Sequence, residues 1–202
     1  MRRPTGPASA LGALAAAVLA VACCGSSTAT LLGGDPAGYL ITRDQLTSPD
    51  FTTYQPVVPV GAGWLDAGSA GALEKDGFER AAEVEYYRQV ALGTSNGPIT
   101  LTVAVALFAS VPGAAAARTD LDRALDTRSG AVSLSTGSLG DGGAATTVGG
   151  NLDGVPVIEI SVVWRERNLV NSLVAEGRLG GLQLSQILPL ATTQTAGELR
   201  RE

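Results

Sequence analysis

The sequence predicts an α+β fold: one curved, mainly antiparallel sheet with helices packed on one face. Three observations carry this expectation. Apolar residues alternate with polar or small ones over Ile99–Phe108 and again over Val155–Trp164, the period of a strand with one buried face. Strong turn formers, Thr94-Ser95-Asn96-Gly97-Pro98 above all, separate successive runs and favour hairpins over crossovers. Sustained helical periodicity is confined to Ser110–Asp126 and the stretch from Ser185 to Arg200. Runs of strands with few helices form a layered α+β domain.

Taken in order, Gly38–Thr42 opens the domain as a short strand or turn. From Thr47 to Gly68, Pro49, Pro56, Pro59, Gly61 and Gly63 argue against a long regular element. Phe51, Tyr54, Val57, Val58 and Trp64 then make this stretch an ordered covering loop. A short helix is expected over Ser69–Asp76, capped by Ser69 and stopped by Gly77. Glu83–Leu92 reads as a strand with Val84, Tyr86, Val90 and Leu92 on one face, although Arg88 interrupts it. Ile99–Phe108 pairs with it across the turn. Its Ile99, Leu101, Val103, Val105 and Leu107 face one side, and the small Thr100, Thr102, Ala104 and Ala106 leave room for packing on the other.

Pro112 suits the first turn of the following helix, whose Ala117, Leu121, Ala124 and Leu125 share a face. Val132–Leu134 and Ala144–Val148 are short strands in a Gly- and Ser-rich region. Val155–Trp164 places Ile158, Ile160, Val162 and Trp164 inward, and Leu169–Ala175 returns beyond Arg165-Glu166-Arg167. The terminal helix carries Leu188, Ala191, Thr195 and Leu199 on one side. A two-stranded hairpin needs a partner or a covering helix, so this helix is expected across the 155–175 hairpin, with Leu188 and Ala191 against it.

Ahead of the domain, Arg2 and Arg3 precede an uncharged, mostly apolar run from Ala8 to Ala22 that ends at Cys23. A spanning helix needs about 20 apolar residues; this run is short for that and suits a secretory signal. Ala20-Val21-Ala22-Cys23 resembles the lipobox of bacterial lipoprotein signal peptides, with Ala20 where that family favours Leu. The resemblance implies cleavage before Cys23 and a diacylglyceryl group on its thiol. The alternative is an ordinary signal peptide cut near Ala22 or Ala29. Two acyl chains suffice for stable attachment. The expected organisation is a signal peptide over 1–22, a flexible Gly/Ser/Thr-rich tether over 23–37, and a single α+β domain over 38–202.

The composition excludes much. The 202 residues contain no histidine, which removes His-based acid–base work, Ser-His-Asp and Cys-His triads, and the commonest zinc ligand. Cys23 and Cys24 are the only cysteines, so the exported domain is held by packing, without a disulfide. A chain with 14 basic and 19 acidic side chains and no basic block is a poor nucleic-acid binder. One lysine, Lys75, against many arginines, with abundant Ala and Gly, is the bias of high-GC bacteria.

The remaining candidates for chemistry each meet a plainer account. Asp141 among glycines lacks the alternating acidic ligands of a calcium loop, and Gly140-Asp141-Gly142-Gly143 reads as a turn. Glu83, Glu85 and Glu159 are placed to share a sheet face, where paired carboxylates do acid–base work; their alternation with apolar residues fits a solvated face better. Lys75, between Glu74 and Asp76, is a poor base for a serine nucleophile. Arg88, Arg165 and Arg167 would suit an anionic ligand, but at a hairpin tip the last two read as solubilising charges. Trp64 and Trp164 either line a pocket or close the core, the simpler account.

The Trp164-Arg165-x-Arg167-Asn168-Leu169-Val170 hairpin and the Leu182-x-Leu184-x-Gln186-x-Leu188-x-Leu190-Ala191-x-x-Gln194 run resemble envelope lipoproteins of the actinobacterial type. No activity comes with that resemblance. The expectation is a membrane-anchored, extracytoplasmic, non-enzymatic binding module without cofactor or metal, whose partner is an envelope protein or an apolar ligand. The alternative is a carrier of a lipid or other apolar small molecule, enclosed between sheet and helices beside Ala104 and Ala106.

Overall fold

The structure is a computed structural model that describes residues 30–200. Seven strands form one sheet: β1 (Phe51–Val60), β2 (Phe78–Arg88), β3 (Thr100–Phe108), β4 (Val132–Leu134), β5 (Gly143–Leu152), β6 (Val155–Glu166) and β7 (Leu169–Arg178). Their spatial order is β1-β2-β3-β7-β6-β5-β4, and every neighbouring pair is antiparallel. The helices are α1 (Ala70–Lys75), α2 (Val111–Asp126) and α3 (Leu184–Leu199). The expected α+β class and antiparallel sheet are therefore found.

The helices do not share a face. Leu101, Val103, Val105 and Leu107 of β3 pack with Trp164, Leu173, Ile187, Leu190 and Ala191, beneath α3 and the N-terminal segment. Ala106 and Phe108 face the other way, against Ala114, Ala117, Leu121 and Leu125 of α2 and Leu73 of α1. The small Ala106 and the ring of Phe108 receive α2 on this face, while the larger residues on the other face meet α3. With both faces of β3 covered, the one-sided arrangement expected from sequence becomes a three-layer one.

Ser110 caps α2 by accepting from the Gly113 amide at 3.1 Å. Gly113 is required there, because a Cβ would lie 2.0 Å from the Asp76 carbonyl oxygen. From the middle of the sheet, α2 carries the chain to the far edge, and β4 to β7 then meander back to pair with β3. The β5–β6 hairpin closes on Asp153 and Gly154, both at positive φ, the backbone of a type I′ turn.

Two further departures have clear causes. The 47–68 stretch is not a loop throughout: β1 spans ten residues. Prolines are tolerated on an edge strand, and register shifts between Thr53 and Gln55 and between Gln55 and Val58 accommodate them. The stretch assigned to a flexible tether is docked from Leu32 onward. Leu32 is buried, its amide donates to Asn168 Oδ1 at 2.7 Å, and its carbonyl accepts from Asn168 Nδ2 at 3.0 Å. Among the described residues, no helix is long and apolar enough to cross a membrane.

Candidate functional site

The α2 face of the sheet is only partly covered. α2 packs over Ala81, Ala106, Phe108, Val163 and Val170. Beyond its C-terminal turn the strands run on uncovered, and a groove opens along them. An inner chamber of about 360 Å³ lies between Trp64, Leu125, Arg128 and the sheet residues Glu83, Thr102, Ser161 and Ser172. An outer chamber of about 430 Å³ continues between Tyr87, Val90 and Leu92 on one side and Val148, Leu152 and Val157 on the other, above Thr100 and Glu176. Glu159 lines both chambers.

The alternation of the strands aims these groups at one surface. Glu83 lies opposite Ala104, Glu85 opposite Thr102 and Tyr87 opposite Thr100. Thr102 in turn lies opposite Val174, and Thr100 opposite Glu176, which pairs with Glu159 of β6. Glu83, Glu85 and Glu159 thus do share a face, as their spacing suggested. That face is a half-buried groove wall and not a freely solvated surface.

Arg128 follows α2 and binds Glu159 through both guanidinium nitrogens, the second at 3.1 Å. Ser161 donates to the same carboxylate at 2.8 Å. Burial pulls the Glu159 carboxyl upward, but these bonds and the Arg128 charge outweigh it and hold it below the ordinary glutamate value. Glu83 has no such partner: neither hydrogen bond nor ion pair reaches its side chain among the described residues. Burial, then the neighbouring Glu85 charge, raises its pKa. Trp64 is half-buried, stacks on Phe78 at 6.2 Å between ring centroids, and fixes its orientation by donating from Nε1 to Ser172 Oγ at 3.1 Å.

The other sequence candidates are dispersed. Trp164 is fully buried under α3, so the two tryptophans divide between the two roles considered for them. Asp141 Oδ2 accepts from the Arg167 amide at 2.9 Å and pairs with Arg165 at 3.0 Å. It steadies Arg167 at φ 54°, a conformation favouring glycine, and belongs to the turn. Arg88 donates to the Asn96 carbonyl at 2.6 Å, at the opposite end of the sheet from Arg165 and Arg167, so the three arginines form no common anion site. Lys75 is exposed on α1. Cys23 lies outside the described residues.

Sequence reasoning missed one cluster. Glu198 and Gln194 of α3 are both buried against β7. Gln194 Nε2 donates to Asn171 Oδ1 at 2.8 Å, and Asn171 Nδ2 donates to Glu198 Oε2 at 3.4 Å. Burial and the Glu166 charge push the Glu198 carboxyl up to about 8. Oε1 of Glu198 and Oε1 of Gln194 are buried without a hydrogen-bond partner; a proton on Glu198 supplies the donor that these two acceptors lack. The buried stripe of α3 is Ile187, Leu190, Ala191, Gln194 and Glu198. Of the expected face Leu188, Ala191, Thr195 and Leu199, Ala191 lies in this stripe, Leu188 packs at its edge and Leu199 is exposed. Two polar residues inside the stripe broke the apolar pattern that would have revealed it.

No family model matches the chain, and no curated protein matches it. Among solved structures, its fold is shared with the extracellular domain of PknH from Mycobacterium tuberculosis. The two superpose with a TM-score of 0.51 over 85% of this chain and 98% of that one, at 12% identity. At that identity the likeness is one of fold.

Proposed function

We propose that this chain is a non-enzymatic binding module of the cell envelope, held outside the cytoplasmic membrane by an acylated Cys23, with its ligand site in the groove beside α2. The groove carries this reading: two neighbouring chambers that share Glu159, apolar on the outer walls and polar on the inner floor, as small-molecule sites usually are. The extracellular setting of the PknH domain supports the location, and the lipobox-like Ala20-Val21-Ala22-Cys23 supports the anchor.

Thr30 and the outer chamber lie at opposite ends of β7. Arg167 Nη1 donates to the Thr30 carbonyl at 3.3 Å, which places Thr30 at the β6–β7 turn. Cys23 precedes Thr30 by seven residues. The outer chamber lies at the other end of β7, about 24 Å away from Leu169 to Glu176 at the usual strand rise.

The carrier reading needs an enclosed space beside Ala104 and Ala106. Ala106 packs with Ala117 and Leu121 of α2, which supports a site in the groove over one enclosed beneath that helix. For chemistry, the groove offers Glu83, Glu159 and Ser161 without a histidine or lysine beside them, and Arg128 already holds Glu159. Mass spectrometry of the protein extracted from its own membranes in mild detergent tests the reading. It should report an acylated Cys23 at the mature N-terminus and a small molecule carried by the folded chain. An unacylated chain that carries nothing contradicts it.

A further inference from the structure

We propose that the groove takes a small amphipathic cation, with its apolar part in the outer chamber and its ammonium group against Glu83. The inference rests on the groove being the ligand site and adds the chemical class of the ligand.

Charge is the first ground. Asp66, Glu83, Glu159 and Glu176 line the two chambers, against one cation, Arg128. Arg128 is committed: it holds Glu159 with both nitrogens, and the Asp66 charge acts on it as well. Asp66 is further satisfied by the Ser69 hydroxyl at 2.8 Å. That leaves Glu83 without a partner, and Glu176 with only the Thr100 hydroxyl at 3.4 Å. An anion entering the groove meets these carboxylates. A neutral apolar molecule strips water from Glu83 and returns nothing, an unfavourable exchange for a charged group. An ammonium group replaces that water with a charge-assisted hydrogen bond.

The walls supply the second ground. Trp64 lines the same inner chamber as Glu83, with its ring held by Phe78 and Ser172. A fixed indole beside a carboxylate attracts cations through the negative face of its ring. The outer chamber provides Val90, Leu92, Val148, Leu152 and Val157 for an aliphatic or aromatic tail, and Leu152 stands 55% exposed at its rim. The raised pKa of Glu83 agrees with a carboxylate that lacks its counter-charge.

The test compares three probes of one chain length, hexylamine, hexanol and hexanoate, titrated calorimetrically into the full chain in neutral phosphatidylcholine nanodiscs, with empty nanodiscs subtracted. Hexylamine is protonated at neutral pH, as a lysine is. It should bind at least tenfold more tightly than either other probe, and its affinity should fall as salt is raised. Glu83→Gln should lower hexylamine affinity severalfold while leaving hexanol unchanged. Equal affinities for the three probes, or hexylamine binding indifferent to that substitution, overturn the cation assignment and leave the groove reading in place. No binding of any probe overturns both.

Discussion

The indole N–H of Trp164 donates to the Thr195 hydroxyl at 2.9 Å, joining β6 to α3 across the larger core. Trp164 is fully buried, so the bond satisfies a polar atom that would otherwise be stranded in an apolar setting. Trp164→Ala should destabilise the fold by about 3–5 kcal/mol, and Thr195→Val by about 1–3 kcal/mol, the cost of an unsatisfied buried donor. The two should couple in a double-mutant cycle measured by chemical denaturation. Additive effects, with Trp164 emission freely quenched by iodide, would place the indole in solvent.

Val103 lies at the centre of β3, flanked by β2 and β7, and is fully buried. Val103→Asp puts an uncompensated carboxylate into that core and should cost several kcal/mol. The melting midpoint checks it: a change of only a degree or two would mean that this face of the sheet is wet.

Glu198 makes stability depend on pH. In the unfolded chain it titrates near the ordinary 4.5, and in the fold near 8. Between these values the folded state keeps a proton that the unfolded state has released, so stability falls as pH rises from about 4.5 to about 8. The loss should reach a few kcal/mol. Glu198→Gln should flatten this slope and be more stable than the parent at pH 8, since its amide offers a donor to the same cluster. Denaturation at pH 5 and pH 8 decides; a parent that gains stability over this range would contradict the assignment.

Asn168 makes three buried hydrogen bonds, two to Leu32 and one to the Phe108 carbonyl at 3.0 Å. Asn168→Ala should cost about 2–4 kcal/mol, roughly one for each bond. It should also release the segment around Leu32, seen as faster hydrogen exchange at the Leu32 amide and earlier proteolytic cleavage there. Unchanged exchange would show that the segment is held by packing alone.

What was legible in the sequence tracks the regularity of the local pattern. The alternation from Ile99 to Leu107, and the helical spacing of Ala117, Leu121, Ala124 and Leu125 behind Pro112, gave β3 and α2 nearly to the residue, because one local rule governed each. β1 was hidden by Pro56 and Pro59, which forbid a central strand but not an edge one, and edge position is set by the whole sheet. The face of α3 was obscured by Gln194 and Glu198, buried only because Asn171 receives them. Glu83, Glu85 and Glu159 were correctly grouped on one face. Their setting depends on β7 inserting between β3 and β6 and on where α2 stops, neither of which a local pattern carries.

The groove itself is tested most directly by filling it. Thr100 sits on the floor of the outer chamber, on a strand that accepts aromatic residues, so Thr100→Trp should occupy the open space and leave the melting midpoint close to that of the parent. Native mass spectrometry of the two proteins, purified side by side from the same membranes, then gives the answer. The account predicts a small-molecule adduct on the parent that is absent from the folded Thr100→Trp variant. The same adduct on both proteins, or none on the parent, would contradict it.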